Sequence, residues 1–97
     1  MTLRVRKSDL AERDLINIYR FGFEHFGIAQ AELYSEGLLD VFDLLVLNPK
    51  MAREHVQYER PVRIHPYKAH LIVYEHSETE IIITRILSYH QNVVDHL

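Results

Sequence analysis

The sequence contains no cysteine and no tryptophan, and only three glycines and three prolines among its 97 residues. Without cysteine the chain can form no disulfide and cannot use thiolate chemistry, which is typical of the reducing cytosol. No apolar run approaches the roughly 20 residues that span a bilayer, and the N-terminal MTLRVRKSD has no apolar signal-peptide segment. We therefore expect a cytoplasmic protein without membrane contact, folded as one domain over residues 1–97.

The sequence also lacks an excess of positive charge, since 11 basic side chains face 14 acidic ones and the net charge is −3. Proteins that bind nucleic acid through its phosphates need clustered lysine and arginine, so direct nucleic-acid binding is disfavoured. There is no glycine-rich phosphate loop, no nucleophile elbow and no zinc motif. We predict neither a cofactor nor a metal ion.

The first half of the chain has the pattern of a strand and two helices. Leu3 and Val5 alternate with arginines as in a short strand. Ser8 is a good N-cap for a helix whose apolar stripe reaches Phe26, and Gly27 is its natural stop. A second helix is predicted from Ile28 to Leu47, before Asn48-Pro49, because proline cannot continue it. Its expected core stripe is Tyr34, Leu38, Val41 and Leu45.

The second half has the pattern of a small sheet. A loop is predicted over residues 51–59, followed by strands over 62–66, 69–75 and 81–87. A tight turn at Tyr67-Lys68 joins the first two of these strands, and residues 76–80 form the next turn. The tail, residues 88–97, is not assigned. The order β-α-α-β-β-β predicts an α+β fold, with a helical hairpin packed on one face of a small, mainly antiparallel sheet.

The hairpin RPVRIHPYKAHLIVYEH carries several polar side chains at alternating positions. A turn at Tyr67-Lys68 would place His65 directly opposite His70. Strand alternation puts two sets of residues on opposite faces. One set is Arg63, His65, His70, Ile72 and Tyr74; the other is Val62, Ile64, Pro66, Ala69, Leu71 and Val73. We expect the apolar set to meet the helices and the polar set, joined by Arg85, to lie on the open face.

Three interpretations of that polar face remain open. A metal site is disfavoured because the histidine pair supplies only two ligands. A general acid–base site for RNA cleavage would place cations and a proton donor near a phosphate. Its candidate residues are Arg63, Arg85, His65, His70 and either Tyr89 or His90. Spacing alone favours the third interpretation, in which polar side chains solvate an uncovered sheet face.

The second helix has more apolar residues than one core-facing stripe needs. The additional ones are Leu33, Leu39, Phe42, Leu44, Val46 and Leu47. Helices that are apolar on several faces are usually covered on several faces. The cover is either the rest of the fold, which is the commoner case, or a binding partner.

Several segments taken together resemble the ParE branch of the RelE/ParE superfamily of toxins from bacterial type II toxin–antitoxin systems. SDLAERDLINIYRFGFEHFG is similar to the family's first helix, and LLDVFDLLVLNPKMARE to its second helix and Asn-Pro stop. RPVRIHPYKAHLIVYEH and IIITRIL are similar to its closing strands, with Arg63 and Tyr74 at matching positions. The tail SYHQNVVDHL differs from the His-x-Arg-x-Asp-like ending that is frequent in ParE chains.

The resemblance implies a toxin that inhibits DNA gyrase without being an enzyme and is neutralised by a ParD-like antitoxin. It also implies that the antitoxin wraps around the helical hairpin and the sheet. On that basis we expect antitoxin contacts at Leu33, Leu39, Phe42, Val46, Arg63, Tyr74 and Arg85.

An alternative within the superfamily is a RelE-like, ribosome-dependent mRNA endonuclease. Its catalytic set would be Arg63, Arg85, His65 and Tyr89. The acidic net charge favours the ParE branch. So does the absence of the lysine pair that is typical of RelE catalysis, since only Lys50 and Arg53 lie near the corresponding loop. The different tail leaves open a third possibility, a module that binds antitoxin but is no longer toxic.

Overall fold

The computed structural model of the chain describes residues 3–56, 58–91 and 93–97. Two long helices follow the first strand, and four further strands and a short 3-10 helix complete the chain. The strands are β1 (Arg4–Lys7), β2 (Glu54–His55), β3 (Val62–Tyr67), β4 (His70–His76) and β5 (Glu80–Ser88). The helices are α1 (Asp9–Phe26), α2 (Ile28–Leu47) and the 3-10 helix η1 (Val93–His96).

The two long helices begin and end where the sequence predicts. Ser8 caps α1, because its Oγ accepts a hydrogen bond from the Ala11 amide at 3.0 Å. Gly27 is the single residue between α1 and α2, and it has φ 89° and ψ 170°. That backbone conformation is accessible essentially to glycine alone, which explains why the chain can reverse direction in one residue. The hairpin therefore depends on this glycine.

The five strands form one sheet in the order β1-β5-β4-β3-β2. β1 pairs with β5 in parallel, and the other three pairs are antiparallel. The predicted α+β fold, with a helical hairpin on a mainly antiparallel sheet, is confirmed. The prediction of an unbroken loop over residues 51–59 is wrong at Glu54 and His55, which form β2 beside Arg63 and Val62. A strand of two residues leaves no alternation in the sequence by which to find it.

The predicted register of the hairpin is wrong. Tyr67 pairs with His70, so the turn residues are Lys68 and Ala69, and His65 lies opposite Ile72 rather than His70. Lys68 has φ 50°, an uncommon conformation for a residue other than glycine. The shift is an even number of residues, so the division of side chains between the two faces is unchanged.

The assignment of the two sheet faces is also wrong. The set that contains Ile72 and Tyr74 faces the helices, and both of these side chains are fully buried against Leu38 and Leu45 of α2 in the main core. On the opposite face Val62 and Val73 form a smaller core with Leu87, partly covered by Tyr58 and Val93. The tail that the sequence left unassigned thus packs η1 against the far side of the sheet.

Both α1 and α2 are too polar over their lengths to cross a membrane, and the described residues contain no helix that could do so.

Candidate functional site

The outward face of α2 exposes leucines along most of the helix. Leu33 is 63% exposed and Leu39 is 47% exposed, whereas Val46 is half-buried. Phe42, expected to contact a partner, is only 2% exposed and belongs to the main core. The additional apolar residues of α2 therefore divide into two groups, one that covers the sheet and one that faces solvent.

Arg63 and Tyr74, also expected to contact a partner, lie opposite each other on β3 and β4. The Tyr74 hydroxyl donates to the carbonyl of Pro49 at 2.9 Å, and the Arg63 guanidinium donates to that of Ala52 at 2.6 Å. Burial raises the pKa of Tyr74, so its hydroxyl remains a donor at neutral pH. Both side chains hold the segment after α2 against the sheet. Nη2 of Arg63 also lies 3.9 Å from Oε2 of Glu54 in β2, which makes a long ion pair.

Arg85 forms a mostly buried ion pair with Asp14 of α1. Its Nε and Nη2 donate to the two carboxylate oxygens at 2.8 and 3.0 Å, and its Nη1 donates to the His96 carbonyl at 3.1 Å. Asp14 also accepts a hydrogen bond from the Ile86 amide at 2.9 Å. The hydrogen bond with Asp14 raises the pKa of Arg85, which stays charged. The guanidinium thus connects α1, β5 and η1.

Of the residues proposed for an RNA-cleaving site, four line one groove, but Arg63 and His65 are not brought to it; the four are His70, Arg85, Tyr89 and His90. Arg63 lies level with Tyr74 of β4, whereas the Tyr89 amide bonds to the Ala69 carbonyl at the other end of the hairpin. Five residues of strand separate these two levels, a distance of about 17 Å. His65 is half-buried on β3, opposite Ile72.

The polar groups of the described residues serve the fold. Every buried side-chain nitrogen and oxygen atom among them has a hydrogen-bond partner. Within residues 3–56, 58–91 and 93–97, no three histidine or acidic side chains are grouped so that they could hold a metal ion. The buried polar side chains of the described residues are therefore all engaged within the fold.

A further polar cluster joins α2 to the turn between β3 and β4, and sequence reasoning missed it. The Tyr34 hydroxyl and His70 Nδ1 are hydrogen-bonded at 2.7 Å, and the Ala69 amide donates to the same hydroxyl at 3.2 Å. Burial raises the pKa of Tyr34 and lowers that of His70, so both groups are neutral at pH 7. The spacing of Tyr34 predicts a core side chain, and its ring does pack against the main core, but nothing in that spacing reveals that its hydroxyl reaches the turn.

Two adjoining grooves flank this cluster. They have volumes of about 560 and 370 Å³, and Ile18, Phe21, Ala69 and His70 line both of them. Phe21 and Phe26, at the end of α1, are more than half exposed and form part of the wall of the smaller groove. The tip of the helical hairpin thus presents exposed aromatic surface beside an apolar groove, which is typical of an interaction surface.

The fold and these surfaces define a small α+β protein with a helical hairpin that exposes apolar side chains. The family model for the ParE toxin of type II toxin–antitoxin systems, parDE, matches residues 5–93. The chain therefore belongs to the ParE toxin family. The resemblance to ParE toxins that the helices, the Asn-Pro stop and the closing strands indicate is confirmed.

Comparison with solved structures gives the same fold. A chain described as the chromosomal ParDE TA system from P. aeruginosa superposes with a TM-score of 0.76 at 18% sequence identity, and the match covers 90% of this chain and 96% of that one. None of the curated proteins matches the sequence. At this identity the structural likeness supports the fold, and the family model supports the assignment to ParE.

Proposed function

We propose that this ParE-family toxin acts in the cytoplasm, inhibits DNA gyrase, and is held inactive by a ParD-like antitoxin. The observation that carries the proposal is the match of the ParE model to residues 5–93, which spans both long helices and includes residues of all five strands. The family implies both the target and the partner.

The antitoxin-binding surface that we propose centres on the outward face of α2. Leu33, Leu39 and the half-buried Val46 of α2 remain in it, because a partner could cover them without disturbing the core. The buried Phe42 and Tyr74 would act indirectly, by supporting that surface from beneath. Arg63 and Arg85 keep their side chains engaged with Ala52 and Asp14, so a partner would meet them only at the rim.

Gyrase inhibition by binding is favoured over RNA cleavage for two reasons. The net charge of −3 opposes competition for RNA phosphates. The two arginines that a nuclease would use are hydrogen-bonded within the fold, and Arg63 lies far from Tyr89 along the sheet. The second observation concerns the residues that would stabilise charge on a scissile phosphate.

The proposal is tested with purified protein in two parallel assays. One assay measures gyrase supercoiling of relaxed plasmid, and the other measures cleavage of ribosome-bound message. We expect loss of supercoiling, with activity restored by adding the protein encoded beside this chain's gene, and no change in the message. Cleavage of the message with supercoiling intact would replace the gyrase proposal with the nuclease alternative. If neither activity appears but the neighbouring protein binds, the chain is an antitoxin-binding module without toxicity.

A further inference from the structure

The outward face of α2 combines exposed leucines with charge of one sign. The helix carries four carboxylates and contains no lysine, arginine or histidine. It therefore holds four of the chain's 14 acidic side chains and none of its 11 basic ones, so the net charge of −3 arises in this helix. The carboxylates belong to Glu32, Glu36, Asp40 and Asp43.

The spacing of these carboxylates places them along one exposed line. Successive members are four, four and three residues apart, which brings each close to the next on a helix surface. All four are exposed, and none takes part in any ion pair formed among the described residues. The line is thus an unneutralised stripe of negative charge.

This stripe works against the stability of α2 itself. Like charges at these spacings repel each other, and acidic side chains near a helix C-terminus oppose the helix dipole. Asp43 lies in the second-last turn of α2, and no basic residue occupies the last turn. α1, by contrast, contains both acidic and basic residues. A cationic partner would convert this unfavourable pattern into a favourable one.

Exposed leucines border the stripe. Leu33 and Leu44 lie on one side of it, three helical turns apart, and Leu39 lies on the other side. Leu44 is 42% exposed and Leu47, at the end of the helix, is 77% exposed. A surface of leucines with acidic neighbours is complementary to a segment in which apolar residues have lysine and arginine neighbours.

We propose that the outward face of α2 binds a positively charged amphipathic segment of the antitoxin, whose apolar side chains cover the leucines and whose lysines and arginines neutralise the stripe. This inference rests on the proposed function and specifies the chemistry of the partner. A second copy of the chain is the wrong occupant, because a twofold interface through α2 would oppose carboxylates to carboxylates. Nucleic acid is excluded for the same electrostatic reason.

The test compares two variants that remove the same amount of charge. The first neutralises the stripe with Glu32→Gln, Glu36→Gln, Asp40→Asn and Asp43→Asn. The second neutralises four exposed carboxylates elsewhere, with Glu12→Gln, Glu24→Gln, Glu59→Gln and Glu78→Gln. None of these eight carboxylates is in an ion pair within the described residues, so both variants should fold, as circular dichroism and thermal unfolding would verify.

Binding is measured by calorimetry against the protein encoded beside this chain's gene. We expect the Kd of the stripe variant to rise about tenfold or more and that of the control variant to change less than about twofold. Raising the salt concentration from about 50 mM to about 500 mM should weaken binding by the unaltered chain much more than binding by the stripe variant. Hydrogen exchange should show that the segment protected together with α2 has more lysine and arginine than acidic residues.

The outcomes separate this inference from the proposed function. Equal affinities of the two variants, or a protected segment that is acidic, would overturn the inference while antitoxin binding stands. If the neighbouring protein does not bind the unaltered chain, the antitoxin proposal fails and this inference fails with it. A Leu33→Ser, Leu44→Ser variant should weaken binding and keep the salt dependence, because it removes apolar contact and no charge.

Discussion

Asp14 and Arg85 lie 71 residues apart in the sequence and are joined by two parallel hydrogen bonds of 2.8 and 3.0 Å. The same carboxylate accepts the Ile86 amide, so it bonds to the side chain and the backbone of β5 together. Since both side chains are mostly buried, removing one leaves the other charge without compensation. The pair therefore fixes α1 against the sheet.

Replacing Asp14 should destabilise the protein more than any exposed acidic residue of α1. We expect Asp14→Ala to lower the free energy of unfolding by about 2–4 kcal/mol. Asp14→Asn should lower the free energy of unfolding by about 1 kcal/mol less than Asp14→Ala does, because the asparagine side-chain oxygen can still accept the hydrogen bond from the Ile86 amide. Urea unfolding measures both, with the exposed Glu24→Gln as the control. Losses no larger than in the control would show that the pair contributes nothing.

Gly27 is required for its backbone conformation alone. A Cβ at this position would meet no atom within 4 Å, but φ 89° is strained for any residue with a side chain. Gly27→Ala should therefore reduce the stability by about 1–3 kcal/mol without a steric clash. Gly22→Ala is the matched control, since its Cβ would make contacts of 3.4 Å with Ala31 and would gain helix propensity. Thermal unfolding that ranks the two variants equally would contradict this account.

Gly37 is required because the Tyr67 ring packs against α2 in the space that a side chain at this position would occupy. A Cβ at Gly37 would overlap the Tyr67 hydroxyl and lie 2.8 Å from Cζ of the same ring. In an exposed helix Gly→Ala stabilises by up to about 1 kcal/mol, but here we expect a loss of about 1–3 kcal/mol from overpacking. Adding Tyr67→Phe should recover only part of this loss, because Cζ remains too close. Full recovery, or a gain from Gly37→Ala alone, would place the Tyr67 ring elsewhere.

Phe42 and Leu39 should separate the core of α2 from its binding face. Phe42→Asp buries a carboxylate and removes a core ring, so we expect loss of the fold. Leu39→Asp should change the stability by less than about 1 kcal/mol and weaken antitoxin binding, because the side chain is half exposed. Circular dichroism and calorimetry measure the two effects. A folded Phe42→Asp protein with weak binding would return Phe42 to the partner surface.

His70 should make the protein less stable in mild acid. Burial lowers its pKa in the folded state below the ordinary value of 6.5, although Asp14 opposes this. As the pH falls through 6.5 the unfolded chain therefore binds a proton before the folded chain does, and stability decreases. Above about pH 7.5 both states are neutral and the contribution is constant. Urea unfolding over this range checks the sign, and the same acid slope in His70→Gln would assign it to other groups.

The helices could be predicted from the sequence because each has a local signal at both ends. Ser8, Gly27 and the Asn48-Pro49 pair mark boundaries that the structure reproduces. The strands β3, β4 and β5 were found to within one residue, since apolar β-formers dominate them. These features depend on near neighbours in the chain, and alternation or capping is enough to reveal them.

The orientation of the sheet could not be predicted, because both faces of the hairpin contain apolar residues. Alternation divided the side chains correctly between the two faces, but the polar set turned inward. His70, Tyr74 and Arg63 are accommodated there by Tyr34 and by the carbonyls of Pro49 and Ala52. Those partners lie 11 to 36 residues away in sequence, so no local pattern contains them. The same reason hid the role of Arg85.

The position of α1 beside β5 has a consequence for the toxin when it is made without its antitoxin. β1 pairs with β5 only as far as Ile83. Beyond that residue the Ser8 hydroxyl donates to the Thr84 carbonyl, and the Asp14 carboxylate accepts the Ile86 amide. These side chains occupy backbone groups of β5 that could otherwise pair with another strand. Pro66, past the end of β2, has no amide hydrogen to offer on β3. Exposed strands that are shielded in this way resist edge-to-edge aggregation. Without a partner, the chain would accordingly be protected at these strands from pairing edge to edge with a second copy.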